Sequence, residues 1–349
     1  MRSSENISWF ADINLKDRAS VGGKGGSLGE LTRAGISVPP GFVVCTTAFE
    51  KVLGSLETQS PIRRRIEALT LQDLRGIRLL SEDVRARMQA GTLPADLRAE
   101  IIAAHTQLCG ENPQSPLAVR SSATTEDAED ASFAGLQDTS LWVTGADAIL
   151  RSVLSCWASL YSVPSLAYRL QRKVQEDGVA IAVVVQRMVD ARTAGVMFTR
   201  SPLTGDRSVI TIEATWGLGS AIVGGEVTPD RFVISKITGD ISVREISDKR
   251  IQHVPRDEGG IKTVETSEAL RRAPSISDQE LAALKEIARK VERHYGRPQD
   301  IEWAIDRSDQ IHLLQSRPET VWSLKEQAPI AKPVENPLLH VMNIFGGRR

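Results

Sequence analysis

Residues 117–141 combine side-chain types that could bind an anion. A short apolar strand (LAV) ends at Arg120, and small or hydroxylated residues follow it. A guanidinium matches phosphate oxygens in a two-pronged geometry, and a loop of small residues lets an anion approach the backbone. Four acidic residues then occur between positions 126 and 130. The same composition also suits a solvated surface loop, so both interpretations remain open on these residues alone.

A second candidate is the glycine-rich segment VGGKGGS at residues 21–27. Glycines allow a backbone to lie against phosphates, and Lys24 would add a point charge. The spacing differs from the common phosphate loop, because no Gly-Lys-Ser/Thr ends it. We expect a loop here, followed by a short helix over residues 28–33. A flexible turn with a surface lysine is the alternative.

The third candidate is a pair of strands at residues 300–306 and 311–318, which should form a hairpin around a short turn. Side chains alternate between the faces of a strand, so Gln315 and Arg317 point to the same side. Glu302 stands among apolar residues whose opposite face should be core. An acid, an amide and an arginine brought together would make an oxygen site for Mg²⁺ beside a phosphate clamp. A surface salt bridge between Glu302 and Arg317 is the alternative.

Several stretches of the chain closely resemble the nucleotide-binding domain of the phosphoenolpyruvate synthase and pyruvate phosphate dikinase family. That family also includes rifampin phosphotransferase and phenylphosphate synthase. The matching stretches are VRSSATTEDAEDASFAGLQDT, VGGKGGSLGELTRAGISVPPGFVV, TWGLG…GGEVTPDRFVI and DIEWAID…HLLQSRPET. The resemblance covers roughly residues 14–320. It implies an α+β, ATP-grasp-like fold of two lobes, with ATP and Mg²⁺ as cofactors in the cleft and with Glu302 and Gln315 as the metal ligands.

The resemblance also implies roles around the triphosphate. Lys24, Arg120 and Arg317 would be the catalytic cations that neutralise its charge. Gly135 and Thr139 would cover the phosphates from the loop. Catalysis would then rest on positioning and electrostatics rather than on a covalent group of this chain.

An apolar strand, AIAVVVQRM at residues 180–188, is expected to form a hairpin with residues 195–199. Its first polar side chain, Gln186, is either a partly exposed strand residue or the edge of a pocket. By resemblance, Gln186 and the backbone near Met188 would contact the adenine edge, and Val184 and Val185 would wall the base.

The remaining elements position these candidates. Residues 46–112 should form several helices, a helix capped by Asp147 should run to about residue 160, and another should run from Pro164 to about residue 175. A strand is expected at residues 209–214, a hairpin at residues 231–245 and an irregular connector at residues 250–275. Ser277 and Glu280 form a capping box that should open a helix over residues 278–295.

We therefore expect an N-terminal lobe at residues 1–180, which carries Lys24 and Arg120 with the helices. A C-terminal lobe at residues 181–320 would carry the adenine and metal strands, including Gln186. A tail or docking arm would occupy residues 321–349, where three prolines occur.

Composition narrows the class of protein. The chain has 349 residues, 41% of them hydrophobic and 25% charged, with a formal net charge of -1. This balance argues against nucleic acid and anionic membranes as partners. No apolar run approaches the ~20 residues that span a bilayer, and the N-terminus lacks a signal-peptide pattern. The three scattered cysteines suit reduced, buried thiols, so we expect a cytoplasmic protein.

In the family, ATP phosphorylates a histidine on a swivelling domain that passes the phosphoryl group to a small-molecule acceptor. None of the five histidines here follows the glycine-rich segment that marks that histidine. The chain should therefore be either an ATP-binding domain from a longer enzyme or a subunit that phosphorylates a histidine-bearing partner chain. Met1 and the tail favour the second, phenylphosphate synthase-like arrangement. A non-catalytic nucleotide sensor and an ATP-grasp ligase that releases ADP are the other hypotheses.

Overall fold

Most strands of the chain belong to two antiparallel sheets, and the candidate site residues are divided between them. The computed structural model describes residues 3–124, 139–320 and 322, together with the backbone of residues 127–128 and 131–132. Among these residues, no helix is both long and apolar enough to cross a membrane.

The described helices, in chain order, are α1 Arg18–Arg33, α2 Thr46–Glu57, α3 Ile62–Glu67, α4 Leu74–Ala90, α5 Ala95–Cys109, α6 Ala146–Ser159, α7 Val163–Arg172, α8 Ser220–Val223, α9 Glu268–Arg271 and α10 Asp278–Tyr295. The described strands are β1 Ile7–Trp9, β2 Gly41–Val44, β3 Leu117–Ala123, β4 Asp127–Ala128, β5 Ala131–Ser132, β6 Thr139–Val143, β7 Ile181–Arg187, β8 Ala191–Phe198, β9 Val209–Trp216, β10 Asp230–Ser235, β11 Ile241–Glu245, β12 Ile251–Pro255, β13 Ile261–Glu265, β14 Gln299–Asp306 and β15 Ile311–Pro318.

The first sheet has the order β1-β2-β7-β3-β6 and is covered on both faces. Val183 and Val185 of β7 pack into a core with α2 and α6, while Val184 packs on the other side against α1. This two-sided burial explains the unbroken apolar run in β7, since neither face of the strand meets solvent. Val184 and Val185 are fully buried in these cores, so the expectation that they wall a bound base is wrong.

The second sheet has the order β11-β10-β9-β8-β14-β15. One of its faces packs against α10, with Trp303 and Ile301 in that core. The helix begins at the expected capping box, in which the Ser277 and Glu280 side chains bond each other's backbone. The opposite face carries charged side chains, because alternate residues of each strand point away from the core.

The expected hairpin between residues 180–188 and 195–199 is wrong. β7 pairs with β2 and β3 of the first sheet, whereas β8 pairs with β9 and β14 of the second. The chain therefore crosses between the sheets at residues 188–190, and Gln186 lies in the first sheet rather than in the C-terminal lobe. We accordingly propose a lobe boundary at residues 188–190 instead of 180.

Helix α1 joins the two sheets and contains most of the glycine-rich segment. The expected loop is wrong except at Gly22, where φ is 70° and ψ is 179°, and helical backbone continues to Arg33. Leu28 packs into the first-sheet side, whereas Leu31 packs into the core of the second sheet. The Ser27 hydroxyl donates to the Ser316 carbonyl at 2.5 Å. Glycines elsewhere in the segment provide close packing instead of a loop.

Other elements follow the sequence with local differences. Helices α2 to α5 occupy residues 46–109, and the hairpins β10–β11 and β14–β15 form as expected. Residues 251–265 form the hairpin β12–β13 and not an irregular connector. Helix α6 is preceded by Gly145, with Asp147 in its first turn and not at the cap. The tail expected at residues 321–349 lies outside the described residues, except for Trp322.

Candidate nucleotide site between the two sheets

Arg120 connects the two sheets through three hydrogen bonds. It lies on β3, and its guanidinium donates to Glu302 Oε2 at 2.8 Å and to Gln315 Oε1 at 2.5 Å. It also donates to the Leu314 carbonyl at 2.9 Å. Arg120 is 9% exposed, so these partners replace most of its hydration. Arg120 therefore meets two side chains that lie 182 and 195 positions after it along the chain.

The second sheet presents two cross-strand pairs side by side. Glu302 on β14 lies opposite Gln315 on β15, and Asp300 lies opposite Arg317. The Arg317 Nε donates to Asp300 Oδ2 at 2.8 Å, and the Arg317 Nη2 lies 2.7 Å from the same oxygen in an ion pair. Arg317 thus pairs with Asp300, and the alternative of a Glu302–Arg317 salt bridge is wrong. The four side chains form one polar row, because alternation keeps positions 300 and 302, and 315 and 317, on the same face.

A cavity of about 520 Å³ opens between the sheets next to this row. Five of the expected site residues line it: Arg120, Thr139, Gln186, Met188 and Glu302. The remaining wall is mainly apolar, with Leu218, Val223, Ile261, Ala304 and Leu314 among its residues. A volume of this size suits a small organic ligand. The two charged groups that meet across the lobes, Arg120 and Glu302, lie together in its wall.

The cavity has a polar end and an apolar end. Counting back from the crossing at residues 188–190, Gln186 pairs with Ala118 and Val184 pairs with Arg120 on the first sheet. On the second sheet, Ala194 faces Ala304 and Val196 faces Glu302. Arg120 and Glu302 therefore lie further from the crossing along the strands, and the wall nearer the crossing is mainly apolar but also contains Gln186 and Arg187. This order suits a ligand with a flat apolar part and an anionic part.

Gln186 is 2% exposed, and its amide nitrogen donates to the Pro39 carbonyl at 3.2 Å. This bond to Pro39, which lies just before β2, fixes the orientation of the Gln186 side chain. Next to it, the Met188 backbone nitrogen donates to the Pro116 carbonyl. Of the two sequence hypotheses for Gln186, the structure agrees with a residue at the wall of a pocket.

Lys24 lies on α1, between two contacts with the end of β3. At Gly22, an added Cβ would sit 2.1 Å from the Ser122 carbonyl oxygen, so only glycine fits there. The Gly25 nitrogen donates to Ser122 Oγ, which itself donates to the Val21 carbonyl. The Lys24 backbone is therefore held close to the strand that carries Arg120, although Lys24 is not among the described residues that line the cavity.

Two further expected residues belong to the loop after Arg120. Thr139 begins β6, pairs in register with Arg120 and lines the cavity. Gly135 lies outside the described residues, so its contact with phosphate stays a prediction.

Sequence reasoning missed two carboxylates on the same face, Asp300 and Glu213. Burial raises the pKa of Asp300 despite the opposing effect of Arg317, and Glu302 adds repulsion. Burial also raises the pKa of Glu213, which Arg231 partly offsets and Asp300 reinforces. Asp300 could have been found, because it precedes Glu302 by two positions on one strand. Glu213 could not, because its strand β9 is brought beside β14 only through β8.

The donor set of this row fits Mg²⁺. The carboxylates of Glu302 and Asp300 and the amide oxygen of Gln315 are oxygen donors, which Mg²⁺ prefers. Among the described residues, no group of three or more His, Cys, Asp or Glu side chains is arranged to hold a metal by itself. Mg²⁺ commonly completes its octahedron with phosphate oxygens and water, and Glu302 and Gln315 would hold it here.

Comparisons with known proteins show the family of the chain. The family model described as "Pyruvate phosphate dikinase, AMP/ATP-binding domain" matches residues 18–337. A probable phosphoenolpyruvate synthase from Methanothermobacter thermautotrophicus is 41% identical over 90% of this chain and 46% of its own length. A rifampicin phosphotransferase from Streptomyces sp. is 40% identical over 88% of this chain and 35% of its own length. The chain thus spans less than half the length of these two relatives.

Among solved structures, D-alanyl-alanine synthetase A from Vibrio cholerae matches with 11% identity and a TM-score of 0.25. The match covers 64% of this chain and 47% of the synthetase chain. The family match covers most of the chain and includes every expected site residue. The protein therefore belongs to the pyruvate phosphate dikinase AMP/ATP-binding domain family, and its fold is ATP-grasp-like.

Proposed function

We propose that this chain binds Mg·ATP in the cavity and transfers phosphoryl to a histidine on a swivelling domain or partner chain. That histidine would pass the group to a small molecule. The observation that carries the proposal is the meeting of Arg120 with Glu302 and Gln315 at the polar end of the cavity. A cation from one lobe and two oxygen donors from the other are what a metal-bound triphosphate requires.

The nucleotide would lie along the cavity with its base toward the crossing between the sheets. Gln186 and the backbone of Met188 would contact the adenine edge. Arg120 would meet the phosphates together with Lys24 and Arg317. The base would gain from apolar burial at its end, and the phosphates from fixed positive charge at the other.

Binding would exchange partners at the polar end. One oxygen of Glu302 and the amide oxygen of Gln315 accept from Arg120. When these oxygens hold the cation, the guanidinium would turn its donors toward a phosphate, whose geometry it matches. The metal supplies neutralisation of phosphate charge. Asp300 would orient Arg317 through the hydrogen bond and ion pair that they share.

The chain's own part in the reaction would be positioning. A neutral imidazole nitrogen of the partner would attack the β-phosphorus in line, so the β- and γ-phosphates move to the histidine together, and water later releases the terminal one as phosphate. In the first of these steps a nitrogen–phosphorus bond forms and the bond from the β-phosphorus to the AMP oxygen breaks. Lys24, Arg120 and Arg317 would stabilise the charge that moves to that oxygen. Thr139 and Gly135 would cover the phosphates from above. AMP and, after hydrolysis, phosphate would be the products.

The separate-subunit arrangement, similar to phenylphosphate synthase, remains our favoured form of this proposal. An excised ATP-binding domain of a phosphoenolpyruvate synthase or rifampin phosphotransferase is the alternative. The final acceptor is a property of the partner in both, and pyruvate, an antibiotic or a phenol would each be compatible with the site described.

The test is AMP release, followed by chromatography, with a histidine-bearing swivelling domain supplied as a separate chain. We expect Arg317→Ala and Glu302→Ala each to lower the rate by ~100-fold or more, because each removes a charged group from the transferring phosphate or its metal. Circular dichroism should show that both variants keep the fold. Arg98→Ala, which breaks an exposed pair with Asp147, is the matched control and should keep the wild-type rate. Wild-type rates in the two site variants would refute the assignment, and ADP in place of AMP would indicate a ligase.

A further inference from the structure

A chain of three hydrogen-bonded side chains lies beside the cavity. Ser220 lines the cavity at the start of α8, and its Oγ is 2.8 Å from His253 Nδ1. His253 Nε2 is 3.3 Å from Glu226 Oε2. None of these residues was a candidate in the sequence, and the roles proposed above do not use them.

The arrangement is held rigidly. The Leu218 nitrogen donates to the His253 carbonyl at 3.0 Å, which fixes β12 to the turn before α8. In the same turn, Gly217 has φ of 71°, and an added Cβ would lie 2.4 Å from the His253 carbonyl oxygen. The Gly217 nitrogen donates to the Arg192 carbonyl. An added Cβ at Gly219, the residue before Ser220, would lie 3.5 Å from the Cβ of Ala194, which lies on β8 between the crossing and Val196, the partner of Glu302. Ser220 therefore lines the cavity between the crossing and the Arg120 end.

The two partners of His253 favour one arrangement of protons. Glu226 can only accept when ionised, so His253 Nε2 donates to it. His253 Nδ1 then accepts from the Ser220 hydroxyl. The Ser220 oxygen is left with its lone pairs to offer to a ligand, so it suits a ligand group that donates. His253 is 5% exposed, so its ring is shielded from water, whereas the Glu226 side chain at the far end of the chain of bonds is 48% exposed.

A ribose hydroxyl is the donor that fits this position. The cavity places anionic groups near Arg120 and an apolar ring near the crossing, and a sugar lies between these two parts of a nucleotide. Of the described residues that line the cavity from the second lobe, Ser220 and Glu302 are the ones with a hydroxyl or carboxylate. Glu302 is already engaged at the polar end.

We propose that Ser220 binds a ribose hydroxyl of the nucleotide and that His253 and Glu226 position its oxygen as an acceptor. This inference rests on the proposed function, because it assumes ATP in the cavity. It makes Ser220 a specificity-determining contact that selects a ribonucleotide over its deoxy forms. His253 and Glu226 act through Ser220 and are positioning residues.

The test is calorimetric binding of ATP, 2′-deoxy-ATP and 3′-deoxy-ATP, with Mg²⁺, to the 349-residue chain. We expect the wild type to bind one deoxy analogue ~3- to 10-fold more weakly than ATP, the effect of one lost hydrogen bond. Ser220→Ala should weaken ATP by the same factor and leave that analogue unchanged. Ser242→Ala is the matched control, since Ser242 lies on the edge strand β11, away from the cavity, and its hydroxyl donates to the Val233 carbonyl. It should behave as the wild type.

Two outcomes would overturn the inference alone. One is ATP binding by the wild type without any preference over the deoxy analogues. The other is an equal loss for ATP and both analogues in Ser220→Ala, which would indicate a structural role. Failure of the wild type to bind ATP at all would overturn the proposed function as well, so the two failures are distinguishable.

The role of His253 has its own test. In His253→Asn, the amide oxygen lies near the position of Nδ1 and can still accept from Ser220, whereas His253→Phe removes both bonds. We expect His253→Asn to keep most of the ribose preference and His253→Phe to lose it. If His253→Phe binds nucleotide with the full ribose preference, the positioning role is wrong.

Discussion

The bonds of Arg120 should be an important link between the two lobes, and Arg120→Met is the substitution that tests this. Methionine keeps much of the apolar stem and removes every donor. The Arg120 side chain is 11% exposed and that of Glu302 is 30% exposed, so water only partly replaces the lost contact. Gln315, at 7% exposure, would keep an amide oxygen without its charged donor.

The magnitude follows from these exposures. A hydrogen bond that involves a charged group contributes ~1.5–3 kcal/mol, and an orphaned buried acceptor costs ~1–3 kcal/mol. Because Glu302 can rehydrate in part, we take the lower end of each range. We therefore expect Arg120→Met to reduce the free energy of unfolding by ~2–4 kcal/mol. Arg98→Met, which breaks an exposed pair, should cost ~0.5 kcal/mol or less.

A double-mutant cycle separates the pair from the rest of the structure. Glu302→Gln alone should cost about 1 kcal/mol, since the amide oxygen can still accept a neutral bond. In the double variant the unpaired carboxylate is absent, so its loss of unfolding free energy should be smaller than the sum of the two single-variant losses by ~1–2 kcal/mol. The assay is urea unfolding followed by far-ultraviolet circular dichroism and by tryptophan fluorescence, where Trp303 is buried beside Glu302. Strictly additive costs, or a cost of Arg120→Met below ~0.5 kcal/mol, would contradict the reasoning.

Three further predictions concern the frame around the site. Gly22→Ala should lower the free energy of unfolding, measured with urea, by ~3 kcal/mol or more, because a Cβ would overlap a carbonyl of β3. Gly35 is the control: its φ is similar, but no atom lies within 4 Å of an added Cβ, so Gly35→Ala should cost only ~1 kcal/mol. Burial raises the pKa of Glu213 in the folded state, so ionisation of this carboxyl opposes folding. Below about pH 4 the carboxyl is protonated in both states and costs nothing, and the protein loses stability as the pH rises toward and through the raised pKa of Glu213. Glu213→Gln should therefore melt above the wild type at pH 7, and the difference should shrink toward pH 4; a constant difference across that range would exclude this cause. Lys249→Met should cost ~3–5 kcal/mol in the same urea assay, because it leaves the fully buried Asp230 without its cation; a cost near zero would mean that Asp230 is satisfied by its other donors alone.

The sequence specified the elements of the second sheet well where the signals are local. The capping box at Ser277 and Glu280 predicts the start of α10 at Asp278, and Gly296 ends the helix. The turn at residues 308–309 predicts the β14–β15 hairpin. Such signals succeed because the atoms that decide the structure lie within a few positions of one another.

The sequence was wrong where a strand's partner decides its role. The apolar run of β7 and the alternating pattern of β8 look like two arms of a hairpin. Each strand instead pairs with distant segments, β7 with residues 41–44 and 117–123. Residues 251–265 carry no strong alternation, yet they pair as β12 and β13. Strand preference depends on the neighbouring strands, which local patterns do not record.

For the site, the residue types by themselves indicated a binding chemistry: arginine, carboxylate and amide side chains can hold phosphate and Mg²⁺, which is the role we propose for Arg120, Glu302, Gln315 and Arg317. Only the tertiary structure decided their pairing. It brought Arg120 into contact with Glu302 and Gln315 across the lobes, and it paired Arg317 with Asp300. It also placed the hydrogen-bonded Ser220 and His253 beside the cavity. The physical reason is that side-chain chemistry belongs to each residue, whereas the spatial distance between residues on different strands is set by which strands pair and which faces are buried.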